Sequence, residues 1–343
     1  MTGTKIDITI GKPLDIRRFK DATIRGEGLK RTCVSFAKLA NHVLRSRSRV
    51  RVRRCYVCDG AVSRPEATVY GIRYMRCASC SHVYAEWRLP EREAEEYYRK
   101  NEDYSEDYAN PKTYRYRLRQ IATPKVRFVA RYAGKGRRRW LDVGTGVGDI
   151  IVAARRAGFD AQGLEISQSS VRFAKKVFGV TLSTRSLAET LEREGEGAYD
   201  VVSFFGVLEH VTDPREQVRL ARRLLAPGGL LVIEVPNADS VSALSDFLYG
   251  EQVVRHMYPP FHIMAFTRKS LLRLVRAERF RPAALWYFGL DFYNLFIHWG
   301  MQSARVFSSR LADFLLTHAN EFQQVIDEKG MSDEFILVAR KPN

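Results

Sequence analysis

From Arg139 to the C-terminus, short apolar strands alternate with stretches of helical pattern, and this alternation constrains the fold more than any other feature. RWLDV, FDAQGLEI, DVVSFFGV and GLLVIEVP are largely apolar runs. Between them lie segments such as ISQSSVRFAKKVF and DPREQVRLARRLL, with apolar residues at helical spacing. Strands that are apolar on both sides must be covered on both faces. Strand and helix in turn therefore imply an α/β fold, a parallel sheet with helices on both faces. PAALWYFGL and EFILVARKP add two strands at one edge, and Phe292 to Lys329 between them carries amphipathic helical patterning.

Four of the five cysteines form two pairs, Cys55-Tyr-Val-Cys58 and Cys77-Ala-Ser-Cys80, with 18 residues between them. C-x2-C-x18-C-x2-C lies within the spacing of a four-thiolate zinc site. TVYGIRYMR, rich in β-branched and aromatic residues, predicts hairpin strands that bring the two knuckles together. Four protein ligands leave no open position. Cys55, Cys58, Cys77 and Cys80 are thus expected to hold a structural zinc that supplies folding energy and no chemistry.

The net charge of +17 is unevenly placed: residues 1–54 carry 15 Lys/Arg against 4 Asp/Glu, and the remainder 41 against 35. A basic arm ending in RSRSRVRVRR thus precedes a nearly balanced body. Such an arm serves nucleic acid, anionic lipid or a phosphorylated substrate, or is a solvated extension. An enzyme of nucleic acid more often carries the surplus around its catalytic domain as well. No apolar run is long enough for a transmembrane helix. MTGTKIDITIGKPLD lacks the apolar core of a secretory signal, so a cytoplasmic protein is expected.

The first strand of the alternating region runs into Leu141-Asp142-Val143-Gly144-Thr145-Gly146-Val147-Gly148-Asp149. A glycine-rich turn between strand and helix lets a ligand approach the backbone. A dinucleotide site wants G-x-G-x-x-G/A, with pyrophosphate on the helix N-terminus. Here the glycines run G-x-G-x-G, Asp149 follows them and Asp142 precedes them. Asp142 would repel pyrophosphate but suits the ammonium of a methionine moiety. The second strand ends Gly163-Leu164-Glu165-Ile166-Ser167, where a carboxylate can accept hydrogen bonds from both ribose hydroxyls. Ser186 and Leu187, in TRSLAETL, are candidates for the edge and face of adenine.

LDVGTGVG, GLEIS, DVVSFFGVLEHVTDP and LLAPGGLLVIEVPN, in that order, resemble the class I S-adenosylmethionine-dependent methyltransferases over about residues 120–290. The ribbon with EREAEEYYRKNEDY, and the later PPFHIMAFTRKSLLRLV, look like a bacterial branch with an N-terminal zinc ribbon that often serves surface-glycan or natural-product pathways. The resemblance implies a Rossmann-like seven-stranded methyltransferase sheet over 113–343, with a helical insertion near 291–329. Zinc ribbon and connecting linker occupy 55–112, and the basic extension 1–54. Asp142, Gly144 and Gly146 are implied at the methionine end of S-adenosylmethionine, Glu165 at the ribose and Leu187 at the adenine. Phe205 and Gly206 form the floor near the sulfonium, and Thr145 and Ile166 complete the cofactor contacts. Many members place an acid for the adenine amino group where this chain has Ser186-Leu187.

Methyl transfer is a displacement at a sulfonium methyl, and the protein must align the reactants and exclude water. A hydroxyl acceptor gains from a general base, and His210, just past the fourth strand, is the candidate. His262, in HMYPPFHIMAF, is expected on the loop over the acceptor pocket, helping to position the acceptor. Some relatives carry a Glu-x-x-Glu-His metal site at this place. Gly206 stands at its first acid position, so no catalytic metal is expected. The expected acceptor is a small molecule, a sugar, nucleotide-sugar or natural-product hydroxyl. RNA, gripped by ribbon and arm, is the alternative. On the first reading the arm is dispensable for turnover. Phe292 to Phe322, rich in Phe, Leu and Trp, reads as a cap or a homodimer surface.

Overall fold

The computed structural model describes residues 6–10, 26–100, 111–134, 138–253, 255–303, 306 and 309–343. Its strands are β1 (Asp7–Ile10), β2 (Val50–Arg51), β3 (Ser63–Val69), β4 (Ile72–Cys77), β5 (Val83–Ala85), β6 (Trp87–Arg88) and β7 (Arg139–Val143). Then follow β8 (Asp160–Leu164), β9 (Tyr199–Phe205), β10 (Leu225–Pro236), β11 (Met264–Ala265), β12 (Arg281–Phe288) and β13 (Glu334–Arg340). The main sheet runs β8-β7-β9-β10-β13-β12-β1. β8, β7, β9 and β10 are parallel, and β13 lies antiparallel between β10 and β12. On β10, Leu231, Ile233 and Val235 enter one core while Leu230 and Val232 enter the other. That period of two, apolar on both faces, is what a sheet covered by helices on both sides requires.

Among the described residues, 139–340 supply six strands to the main sheet rather than the seven expected of this region. The strand that would flank β8 is reduced to one parallel bridge between Leu164 and Ser183. Its ladder stops after Glu165 N donates to Ser183 O at 2.8 Å and Ser183 N donates to Gly163 O at 2.9 Å. Ser186 then caps the helix Leu187–Glu194 in a reciprocal capping box with Glu189, turning the chain away before the ladder can grow. The remaining strand of the sheet is β1, from the N-terminal stretch, parallel to β12 at the far edge.

The cysteine-bearing segment folds as a ribbon. Tyr70 and Gly71, both left-handed at φ +46° and +77°, close the β3–β4 hairpin. β5 pairs with β4, and β11 joins from the far side of the chain to complete a four-stranded sheet. Cys55, Val57, Cys77, Cys80 and Tyr84 share a core with Phe204, Leu208 and Phe266, so the ribbon is part of one body with the larger domain.

Helix Gly26–Arg45, read from sequence as part of a basic extension, also belongs to that body. It buries Cys33, Ala40 and Val43 in a core shared with Tyr70, Ile72, Tyr74, Val253 and Met257. Burying Val43 alone contributes about 1.5–3 kcal/mol. Residues 1–5 and 11–25 of the arm, and 101–110 of the expected linker, lie outside the described residues. Among the described residues the insertion forms three helices, Asp291–Gln302, Arg310–Thr317 and Ala319–Glu328, and leaves Leu311, Phe314 and Val325 exposed. No helix among the described residues is long and apolar enough to cross a membrane.

Candidate active site

The parallel strands end at one sheet edge, which brings the residues after β7, β8 and β9 together. Gly144 opens the glycine turn at φ +65°, and a Cβ there would stand 2.7 Å from Val207 Cγ2, which lies past β9. Only glycine lets the turn pass that close.

Asp142 is buried near the end of β7. Trp140 Nε1 donates to Ser203 Oγ at 2.7 Å, and Ser203 Oγ donates to Asp142 Oδ1 at 2.5 Å. Asp142 Oδ2 has no partner, and burial pushes the carboxyl up to about 7. A cationic group beside it relieves both penalties. An ammonium fits.

Glu165 follows β8 and ties the glycine turn to the next helix. Gly146 N donates to its Oε2 and Ser167 N to its Oε1, each at 2.7 Å. Burial raises this carboxyl while those backbone N–H groups lower it. Each oxygen keeps a lone pair for a ribose diol. Thr145 is buried in the turn and Ile166 half-buried beside Glu165. Leu187 is buried as the first residue of its helix. Ser186, expected at the adenine edge, spends its hydroxyl on the capping box with Glu189 instead.

Phe205 ends β9 and Gly206 follows it. Lys125 Nζ stands 5.6 Å from the Phe205 ring centre and 2.6 Å from Glu234 Oε1 on β10. Burial raises the Glu234 carboxyl, and Lys125 opposes that. Arg117 reaches Asp149 at 3.2 Å. No motif marks Lys125 or Arg117. Their only signal is a basic residue on the helical stretch just ahead of the first strand.

His210 and His262 meet at the same edge. His210 Nδ1 lies 2.9 Å from Phe261 O and 2.8 Å from Tyr98 Oη. A carbonyl only accepts, so Nδ1 carries the proton and Nε2 is bare. The His262 ring centre is 4.6 Å away at 84°. Burial pushes His210 down to about 4 and His262 well below its ordinary value, so both are neutral at pH 7. Tyr74 Oη on β4 donates to His262 O at 2.7 Å, and Ala85 N on β5 donates to Ile263 O at 2.8 Å, so the ribbon holds this loop. His256 is spoken for, with Nε2 3.0 Å from Asp333 Oδ2.

Glu209 lies beside the pair. Burial pushes its carboxyl up to about 8, and neither Glu209 Oε2 nor His262 Nδ1 has a partner. One ligand atom from each of Glu209, His210 and His262 falls within 4.8 Å of the others. The expectation of no metal rested on Gly206. His262, from a distant loop, supplies a third arm that strand-end spacing does not show. In the ribbon, Cys55 Sγ is 3.5 Å from Cys80 Sγ, Cys58 Sγ is 3.5 Å from Cys77 Sγ, and all four sulfurs lie within 4.8 Å. Tetrahedral zinc at about 2.3 Å from each sulfur sets them about 3.8 Å apart. The four sulfurs fit it. A cavity of about 510 Å³ beside Gln162, Thr184, Arg185 and Glu194 contains none of the candidate site residues.

Residues 114–283 match the family described as a methyltransferase domain. The ubiquinone biosynthesis O-methyltransferase of Methylococcus capsulatus is 31% identical over 160 residues, 45% of this chain and 68% of that protein. Its namesake in Bordetella avium is 32% identical over 147 residues, 39% and 61% of the two chains. That of a Caulobacter species is 35% identical over 126 residues, 36% and 50%. The chain thus spans from half to about two thirds of the length of these relatives. A SAM-dependent methyltransferase structure from Archaeoglobus fulgidus is 18% identical with a TM-score of 0.46, over 65% of this chain and 94% of that one. From the domain match and the Methylococcus relative, the chain belongs to the class I S-adenosylmethionine-dependent methyltransferases.

Proposed function

We propose that this protein transfers the methyl group of S-adenosylmethionine to a hydroxyl of a small acceptor, a sugar, nucleotide-sugar or related metabolite. The observation that carries this reading is the pair of neutral histidines that meet past the end of β9, His262 buried and His210 half-buried, with ring centres 4.6 Å apart. The relatives are named O-methyltransferases of ubiquinone biosynthesis, which favours a small oxygen acceptor over RNA.

When bound, the cofactor supplies a methyl group already activated on its sulfonium. The residues of the chain do the rest. Asp142 meets the ammonium, Glu165 the ribose diol and Leu187 the adenine face. Gly144, Thr145, Gly146 and Ile166 shape the cradle, while Phe205 and Gly206 close the floor. His210 Nε2 would accept the proton of the acceptor hydroxyl, and the bound cofactor would supply the methyl group that the acceptor oxygen receives. His262 orients the acceptor. Cys55, Cys58, Cys77 and Cys80 hold a structural zinc that keeps β5 in place against β11.

A labelled-methyl assay against a panel of hydroxylated sugars, nucleotide-sugars, phenols and total RNA tests this. Label should enter a small hydroxylated acceptor and not RNA. Label entering RNA alone would overturn the reading.

The unpartnered Glu209 Oε2 and His262 Nδ1 favour a second reading, a divalent cation held by Glu209, His210 and His262. Two histidines and a carboxylate suit a first-row cation. Bound there, it would supply Lewis-acid polarisation of an acceptor oxygen. Cobalt(II) titration of the zinc-loaded protein should give a visible spectrum that His262→Ala abolishes. No spectrum at all would remove this reading.

A further inference from the structure

The helix Glu91–Lys100 follows the cysteine ribbon and precedes the segment that matches the methyltransferase domain. A pair of tyrosines carries it to His210 and Phe261. The Tyr97 ring packs 4.7 Å from the Phe261 ring, and Tyr98 Oη reaches His210 Nδ1 at 2.8 Å. No residue of this helix is fully buried, and Tyr98 directs its hydroxyl to His210.

We infer that Tyr98 is a positioning residue for His210, holding its ring with Nδ1 protonated and Nε2 open to the acceptor. The ribbon-side unit then completes the acceptor half of the site. The inference deepens the reading of His210 as base and rests on it.

Two oxygens converge on His210 Nδ1, the Phe261 carbonyl at 2.9 Å and Tyr98 Oη at 2.8 Å. The carbonyl has no proton to give. The proton between them therefore sits on Nδ1, and Tyr98 Oη is its second acceptor. An unconstrained imidazole exchanges its two tautomers freely, and the wrong one presents an N–H to the acceptor hydroxyl where a lone pair is needed. The same unit fixes the second histidine, since Tyr74 Oη donates to His262 O at 2.7 Å and Phe36 stacks on Tyr258 at 4.5 Å.

The test is nitrogen-15 NMR of the histidine side chains in the full chain at fixed neutral pH, comparing the parent with Tyr98→Phe. His210 should show a protonated Nδ1 in the parent. In Tyr98→Phe the tautomer ratio should move toward Nε2–H by about tenfold, the effect of one hydrogen bond. Cofactor affinity and zinc content should not change, which excludes a general loss of fold. If the variant loses either, Tyr98→Met, which keeps apolar volume, must shift the ratio the same way. A bare Nδ1 in the parent, or an unchanged ratio in both variants, would overturn the inference. The base reading fails separately, by full methyl transfer in His210→Ala, and the tautomer result would survive that failure.

Discussion

The imidazoles of His210 and His262 stand nearly perpendicular, with ring centres 4.6 Å apart, although one follows β9 and the other precedes β11. They meet because the loop carrying His262 is held from outside the methyltransferase segment. Tyr74, Ala85 and Phe36, all N-terminal to it, grip residues 258–263. The strand-end residues Asp142, Gly144 and Glu165 are placed by the sheet, whereas the loop carrying His262 is held jointly with the ribbon.

Acid should destabilise the fold through His210. Its folded value of about 4 lies below its ordinary 6.5. Between those limits the unfolded chain binds a proton that the native state does not. Stability is therefore full above pH 6.5, falls as pH drops toward 4 and then levels. The loss is up to about 3 kcal/mol. Denaturant midpoints at pH 7 and 4.5 should differ more for the parent than for His210→Gln. Equal differences would show that His210 is not buried neutral.

Glu165→Ala should weaken S-adenosylmethionine binding by tenfold or more, since a hydrogen bond to a charged group is worth about 1.5–3 kcal/mol. Glu165→Gln should fall between, because an amide oxygen still accepts from Gly146 N or Ser167 N. Calorimetry measures both. Unchanged affinity in the alanine variant would remove Glu165 from the site.

Metal analysis should find one zinc per chain on Cys55, Cys58, Cys77 and Cys80. Stripping it should loosen the β5–β11 pair, raising amide exchange at 263–265 while S-adenosylmethionine still binds. Four free thiols and no zinc in the purified protein would refute this.

The N-terminal helix should matter, against the expectation that the arm is dispensable. Phe36 stacks on Tyr258 at 4.5 Å with an interplanar angle of 8°. Such a pair contributes about 0.5–1.5 kcal/mol beyond its burial. Phe36→Ala should raise amide exchange at 256–262 and leave cofactor affinity alone. Unaltered exchange there would restore the arm to a passive role.

Much of this was legible in the sequence because it is local. The six strands that residues 139–340 give the main sheet announce themselves as apolar runs, and C-x2-C pairs announce a knuckle whatever surrounds them. Asp142, Gly144 and Glu165 lie at strand ends, where topology alone gathers them. What the chain conceals is longer in range. Nothing in VTLSTR shows that Ser186 will cap a helix and cut short a strand. Nothing in a basic stretch shows that Cys33, Ala40 and Val43 line one helical face against the ribbon. Tyr98, Lys125 and the approach of His262 to Glu209 depend on tertiary packing between elements far apart in sequence, and no spacing rule reaches that far.

The decisive measurement is the turnover number of His210→Ala against the parent, with a hydroxylated acceptor at neutral pH and saturating S-adenosylmethionine. A positioned general base is worth about 10²- to 10⁴-fold. Turnover should fall by that factor with cofactor affinity unchanged. Full turnover in His210→Ala would contradict its role as the base and leave it a structural residue of the turn after β9.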